Sequence, residues 1–335
     1  MVYVVMAFLW TSILLYIIMG GADFGAGILE FFSTKRSKLK TQKIIYEAIG
    51  PVWEANHMWL IIAIVILFVG FPNIYTLMSV HLHIPLAIML LGIIARGTAF
   101  TFRHYDAVKD NLQTVYSKIF VYASLVTPFF LGVIAGSAVS GLINPKADNF
   151  LDAYIFCWLS PFPISVGLFT ITICGFLAAI FIIGETESET EQQRFILKAK
   201  HFSIAAIACS ALVLVVAELE DIPMSKWLFG NTVSLTCVAL AVVSLLWMWR
   251  SLFKRTTKGL RLVAGAQVTL ILVAITYEHY PVLIALKDSP GLSLLETQAS
   301  EKTIHALGMA LLLGSIFILP ALFYLLYSFT KQTDE

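Results

Sequence analysis

Two short stretches carry the residues whose types and spacing could do chemistry: GGADFGAG, Gly20 to Gly27, and GPVWEANHMWL, Gly50 to Leu60. Each sets a carboxylate, Asp23 or Glu54, at the edge of a segment apolar enough to span a bilayer. A charge near the bilayer centre costs roughly 2.5–3.5 kcal/mol on insertion scales, so each acid calls for a partner or a task. In the second stretch Glu54, His57 and Met58 fall at i, i+3 and i+4, on one helical face, with Trp53, Asn56 and Leu60 on the adjacent face. A carboxyl and an imidazole one turn apart can hand on a proton, because buried carboxyl groups and histidine both titrate near neutrality. The bland alternative is a neutral Glu54 in a local hydrogen-bond network. Arg96 lies near the same end of the third apolar segment, where an Asp–Arg or Glu–Arg pair would offset desolvation. Such a pair could also do no more than pin three helices together.

Metal chemistry is weakly represented. Glu54-x-x-His57 is half of a di-iron carboxylate pattern, but no second Glu-x-x-His falls in a span, so no metal site is expected in this chain. His81 and His83 start the third span, His279 and His305 lie near the same membrane face, and His104 and His201 near the other. Depth alone leaves haem ligation open, although histidines snorkelling to water are commoner. The four cysteines, Cys157, Cys174, Cys209 and Cys237, form no CxxC pair and read as small buried side chains. Glu218, Glu220 and Asp221 read as a solvated rim, or as a proton exit or partner contact.

The elements that must position these residues are membrane helices. Hydrophobic residues make up 59% and charged residues 13%, against the roughly 25% charged of a soluble domain, and a net charge of +1 leaves no surplus for nucleic acid. Nine segments meet the length of about 20 apolar residues that a spanning helix needs. They are Val2–Gly20, Ile49–Phe71, Met78–Phe100, Tyr116–Leu142, Leu159–Ile183, a short Phe202–Ala217, Asn231–Trp249, Gly259–Pro281 and Ile304–Ser328. The expected fold is an all-α polytopic membrane protein, one helical bundle over 1–335, which loosely admits a four-plus-four repeat plus one helix. The first segment has no basic leader or small-residue cleavage site and reads as a retained helix.

Orientation follows from the Lys and Arg of the loops. The odd-numbered loops and flanks hold Lys35, Arg36, Lys38, Lys40, Lys43, Arg103, Lys109, Lys118, Arg194, Lys198, Lys200, Arg250, Lys254, Arg255, Lys258 and Arg261. The even-numbered loops hold only Lys146, Lys226, Lys287 and Lys302. That asymmetry puts the N-terminus outside and the C-terminus, with Lys331, in the cytoplasm, and places Asp23, Glu54 and Arg96 towards the cytoplasmic side.

GADFGAG and GPVWEANHMWL, together with RGTAFTFR at Arg96 and a last helix containing Pro320, resemble subunit II of the cytochrome bd-type quinol oxidases. The Trp53, Glu54, Asn56, Trp59 run is the specific part, and the likeness covers the chain in length, helix number and orientation. The resemblance implies a prokaryotic cytoplasmic (inner) membrane protein, multi-pass, in an obligate heterodimer with a haem-bearing subunit I. That complex oxidises quinol and reduces dioxygen to water. The resemblance places haem b and haem d, or a third haem b, in subunit I, and leaves room for a structural quinone, a small accessory subunit and bound membrane lipid. It also implies that Glu54 lines a cytoplasmic proton route, with Asp23 and His57 beside it and Trp53, Asn56, Trp59 and Arg96 in support. Better-known branches carry Asp in the Glu54 slot, so this side chain is one methylene longer. The readings from other classes are a proton-coupled secondary transporter with a site at Asp23, Glu54 and Arg96, and a purely structural membrane subunit.

Overall fold

The computed structural model describes residues 1–34, 37–50, 53–105, 112–186, 188–257 and 259–332. Lys35, Arg36, Lys109 and Lys258 of the charge count and Pro51 and Val52 of the second motif lie outside the described residues, as do the side chains of His104 and Lys331. Among the described residues, nine helices are long and apolar enough to cross a membrane. In lipid the helix is the simplest way to satisfy every backbone N–H and C=O within the segment.

The first span, Val2–Phe31, joins α1 (Val2–Leu15), a π-helical turn (Tyr16–Gly20) and α2 (Gly21–Phe31). Next, α3 (Lys38–Ile49) buries Thr41, Ile45 and Ile49 on one face and leads to the second span, α4 (Trp53–Gly70). The short α5 (Pro72–His81) precedes the third span, α6 (His83–Tyr105). The fourth span, α7 (Leu112–Ser140), and the fifth, α9 (Pro161–Ile183), flank the single turn of α8 (Phe150–Tyr154). The sixth span, α10 (Glu189–Leu219), is followed by α11 (Met224–Phe229), then the seventh and eighth spans, α12 (Thr232–Lys254) and α13 (Leu260–His279). A two-stranded hairpin, β1 (Val282–Leu286) and β2 (Ser289–Ser293), leads to the last span, α14 (Glu301–Gln332).

The number of spans agrees with the sequence, but several boundaries do not. The first span runs past Gly20 to Phe31, and Ile49, expected to open the second span, is instead the last residue of α3. Residues 78–81 belong to α5, so the third span starts at His83. The sixth span is 31 residues long rather than short, because hydrogen bonding continues through the charged turns before Phe202 that an apolar window discards. The hairpin was not anticipated. It is antiparallel, bridges Ile143 through Leu286, and adds Ile284 to a core containing Ile143 and Cys157.

The middle of the bundle is α2, α7 and α9, which pack against one another. Of their most apolar windows, α7 and α9 bury 56%, against 17% for α12 and α14, so the later spans lie at the periphery. Helices in lipid gain little from apolar burial and associate through close packing, which favours small residues. A Cβ at Gly25 would overlap the Cys174 carbonyl of α9, and one at Gly27 would overlap Ser124 of α7. The glycines of the first motif thus draw α2 into the centre, and Asp23 goes with them.

Candidate functional site

Asp23 sits on α2 just beyond the π-helical turn and is 1% exposed. Arg96 reaches it from α6 with the same exposure. Arg96 Nη1 donates to Asp23 Oδ2 at 2.8 Å, while Nη2 donates to Oδ1 at 2.7 Å and to the Asp23 carbonyl at 2.9 Å. Its Nε donates to Ser124 Oγ at 3.0 Å, and Ser124 in turn donates to the Phe120 carbonyl at 2.7 Å. The guanidinium carbon lies 5.3 Å from the Phe24 ring centre and 4.9 Å from that of Phe120. Every nitrogen of this arginine is engaged, the condition under which a buried ion pair recovers its desolvation. Of the two pairings the sequence left open, Asp23–Arg96 is the one formed.

Seven residues on, the pattern repeats. Arg103 Nη1 donates to Glu30 Oε2 at 2.8 Å, with side chains 6% and 0% exposed. Both pairs are offset by 73 residues, so α2 and α6 run parallel here, and the two pairs stand about 10 Å apart along them. The Phe120 ring lies between the two guanidiniums, 4.4 Å from that of Arg103. Glu30 Oε1 also accepts from Gln42 Nε2 of α3 at 2.6 Å. Beside it, Lys198 Nζ of α10 donates to the Leu29 carbonyl at 2.7 Å and to Ser33 Oγ at 2.6 Å. A cation is favoured there by the exposed carbonyls at the end of α2. Sequence reasoning missed this second pair, because Arg103 and Lys198 were counted as loop charges and Glu30 was not singled out. The signal was present: an acid at 23 and 30 and an arginine at 96 and 103 share one spacing.

His57 turns towards Asp23 rather than Glu54. Its Nε2 is 3.6 Å from Asp23 Oδ2, and its ring is packed by Tyr16, Phe24 and Trp53 at centroid distances of 6.0, 5.6 and 6.4 Å. Trp53 also packs against Phe100, with tilted rings 5.5 Å apart, and limits the space at Gly97. Glu54, expected to be partly buried, is exposed in the first turn of α4 and has no hydrogen-bond or ion-pair partner among the described residues. Position in the first turn suits an anion, because the helix N-terminus carries partial positive charge. Asn56 and Trp59 are 5% and 9% exposed. Around this region four buried polar atoms lack a partner: Tyr16 Oη, Asn56 Oδ1, His57 Nδ1 and Trp59 Nε1. An unsatisfied buried group costs about 1–3 kcal/mol, so four in two neighbouring elements are not incidental.

The remaining candidates are dispersed. Among the described residues no three His, Cys, Asp or Glu side chains are placed to hold a metal ion. His81 donates from Nδ1 to the Ala153 carbonyl at 2.9 Å and stacks on Tyr154, and His83 donates to the Val80 carbonyl at 2.8 Å. His279 lies edge-on to Trp227 with centroids 4.0 Å apart, while His201 and His305 are exposed. Glu220 is more than a solvated rim: its Oε2 accepts from the Phe162 amide at 3.0 Å and so caps the start of α9, whereas Glu218 and Asp221 are exposed. The cysteines are free, with Cys157 and Cys174 buried.

The chain is similar to cytochrome bd ubiquinol oxidase subunit 2 of Bacillus subtilis, with 24% identity over 322 residues, 94% of this chain and 91% of that protein. It is also similar to cytochrome bd-I ubiquinol oxidase subunit 2 of Escherichia coli, 23% identical over 219 residues, 63% of this chain and 56% of the relative. Its fold matches a chain in the structure of bd oxidase from Geobacillus thermodenitrificans with a TM-score of 0.78 and 20% identity, covering 98% of each chain. The sequence model of cytochrome bd terminal oxidase subunit II matches residues 1–329, and the chain belongs to that family.

Proposed function

We propose that this chain works as subunit II of a quinol-oxidising, dioxygen-reducing complex of the cytoplasmic membrane, stabilising a haem-bearing subunit I and supplying it with protons from the cytoplasm. On this reading the N-terminus is outside and the C-terminus cytoplasmic, which the asymmetry of loop lysines and arginines supports. Glu54 takes up protons at the cytoplasmic side, and His57, one turn further on, is the next group inward. Asp23, locked to Arg96, holds the His57 ring in place. Trp53, Asn56 and Trp59 set the wall of the route, and residues 1–335 form one bundle.

The observation that carries this reading is the contrast between Asp23, fully engaged by Arg96, and the unpartnered groups next to it. Glu54 has no partner among the described residues, and His57 Nδ1 is buried without one. Groups that bind and release protons need such freedom, whereas a purely structural cluster would be closed. Haem, when bound in the complex, supplies the electron transfer and oxygen chemistry. Of the half-buried histidines, His57 is walled in by three rings and His279 lies against Trp227, which suits neither to an axial ligand. Two open grooves, of about 320 and 430 Å³, are lined by no histidine. On this reading the haems sit in subunit I.

The test is Glu54→Gln in the intact two-subunit complex. The variant keeps the shape of the side chain and removes its exchangeable proton. Oxygen reduction should fall by roughly 10²-fold with haem content unchanged, and Glu54→Asp should retain much of the activity. Full turnover in a well-assembled Glu54→Gln complex would refute the route. Poor assembly of both variants would favour the purely structural subunit.

A further inference from the structure

We infer that the π-helical turn and the first two turns of α4 enclose a string of ordered water molecules, with the Tyr16 hydroxyl anchoring it against the His57 imidazole. Tyr16, Asn56 and Trp59 are 3%, 5% and 9% exposed, and each buries a polar atom without a protein partner, as does His57. Tyr16 and Trp59 share one packed cluster with Phe24, and the Tyr16 and His57 rings lie 6.0 Å apart. Tyr16 thus has His57 and Trp59 as neighbours, and Asn56 lies on the same two turns of α4.

Their chemistry selects the ligand. Trp59 Nε1 only donates, Asn56 Oδ1 only accepts, and the Tyr16 hydroxyl does both. An anion would be refused by the Asn56 oxygen and a cation by the Trp59 N–H. Water, with two donors and two acceptors, suits all of them, and buried water usually bonds two to four such groups. The backbone is built for this arrangement. Tyr16 opens the π-helical turn Tyr16–Gly20, a local widening often found at functional sites. Gly20 closes that turn, and a Cβ there would lie 2.9 Å from two carbons of the Tyr16 ring. Glycine therefore lets the ring lie against its own turn. The aromatic walls keep the site closed to bulk water without satisfying its polar atoms.

Tyr16 is on this account a positioning residue: it holds the water that His57 Nδ1 faces. The role of the string in proton supply rests on the route proposed above, but its existence does not. Cryo-electron microscopy of the intact complex, at a resolution that resolves water, should show density within hydrogen-bond distance of Tyr16 Oη and His57 Nδ1. Tyr16→Phe keeps the ring and removes the hydroxyl. With haem content normal, that variant should lose the density beside residue 16, slow oxygen reduction about tenfold, the equivalent of one hydrogen bond, and raise the solvent deuterium isotope effect on turnover. A dry site in the native complex overturns the inference, and so does a Tyr16→Phe complex with unchanged turnover and isotope effect. If that variant does not assemble, density in the native complex decides alone. Full activity of Glu54→Gln alongside visible water would remove the route and leave the water site standing.

Discussion

The two ion pairs between α2 and α6 are made of the same chemistry at the same spacing, yet they are finished differently. Arg96 has every nitrogen engaged, by Asp23 and Ser124, and is 1% exposed. Arg103 commits only Nη1, to Glu30, and leaves Nε and Nη2 without partners against the Phe120 ring. Position along the helix accounts for the difference. Asp23 lies beside the π-helical turn, whereas Glu30 lies at the last turn of α2, where Gln42 and Lys198 arrive from other segments. Deep in lipid no solvent completes a hydrogen-bond set, so the protein must complete it. At the end of α2, Gln42 takes part of that burden by donating to Glu30.

Breaking the inner pair should have the largest effect. Arg96→Met leaves Asp23 as an uncompensated buried carboxylate, a loss of about 3–5 kcal/mol, which should abolish assembly. The yield of complex and its haem content measure this directly, and a normal yield would contradict the assignment. The double change Arg96→Met with Asp23→Leu removes both charges and should recover part of the yield.

Breaking the outer pair sharpens the comparison. Arg103→Met should cost only about 1–2 kcal/mol, because Glu30 keeps its bond from Gln42 and lies at the span end. Thermal unfolding of the purified complex should show a lowered midpoint with assembly intact. Equal damage from both arginine changes would mean that depth does not separate the pairs.

The smallest effect is expected far from both pairs. Burial pushes the Cys157 thiol up from about 9 to about 11. Its neutral form is favoured in the fold, so its contribution to stability is complete below about pH 9 and declines as pH rises towards 11. Cys157→Ala should flatten that alkaline decline without altering turnover. Alkylation of Cys157 should be slow at neutral pH, since the thiolate is the reactive species.

Asp23 and Arg96 were legible as partners because two charges at one depth in apolar segments must find each other. Glu30 and Arg103 were not, because an acid followed by Phe31, Phe32 and a polar stretch reads as a solvated end. His57 was assigned to Glu54 by helical spacing, but spacing along one helix carries no information about a second helix. The rotation of α4 against the first span turns His57 to Asp23 and leaves Glu54 at the surface.

What the sequence by itself determined is the class of the protein and its list of costly residues: nine apolar segments, an acid in each of two motifs, and the arginine able to answer one of them. Hydrophobicity and length suffice for that, since the bilayer admits few alternatives. Only the tertiary structure decided which groups are closed and which are left open. The approach of α2 to α7 at Gly27, the π-helical turn at Tyr16 and the register of α2 on α6 all arise between helices. Those contacts engage Arg96 fully and leave Tyr16, Asn56, His57 and Trp59 with polar atoms unmet, because packing geometry rather than residue type determines which partner each buried polar atom can reach.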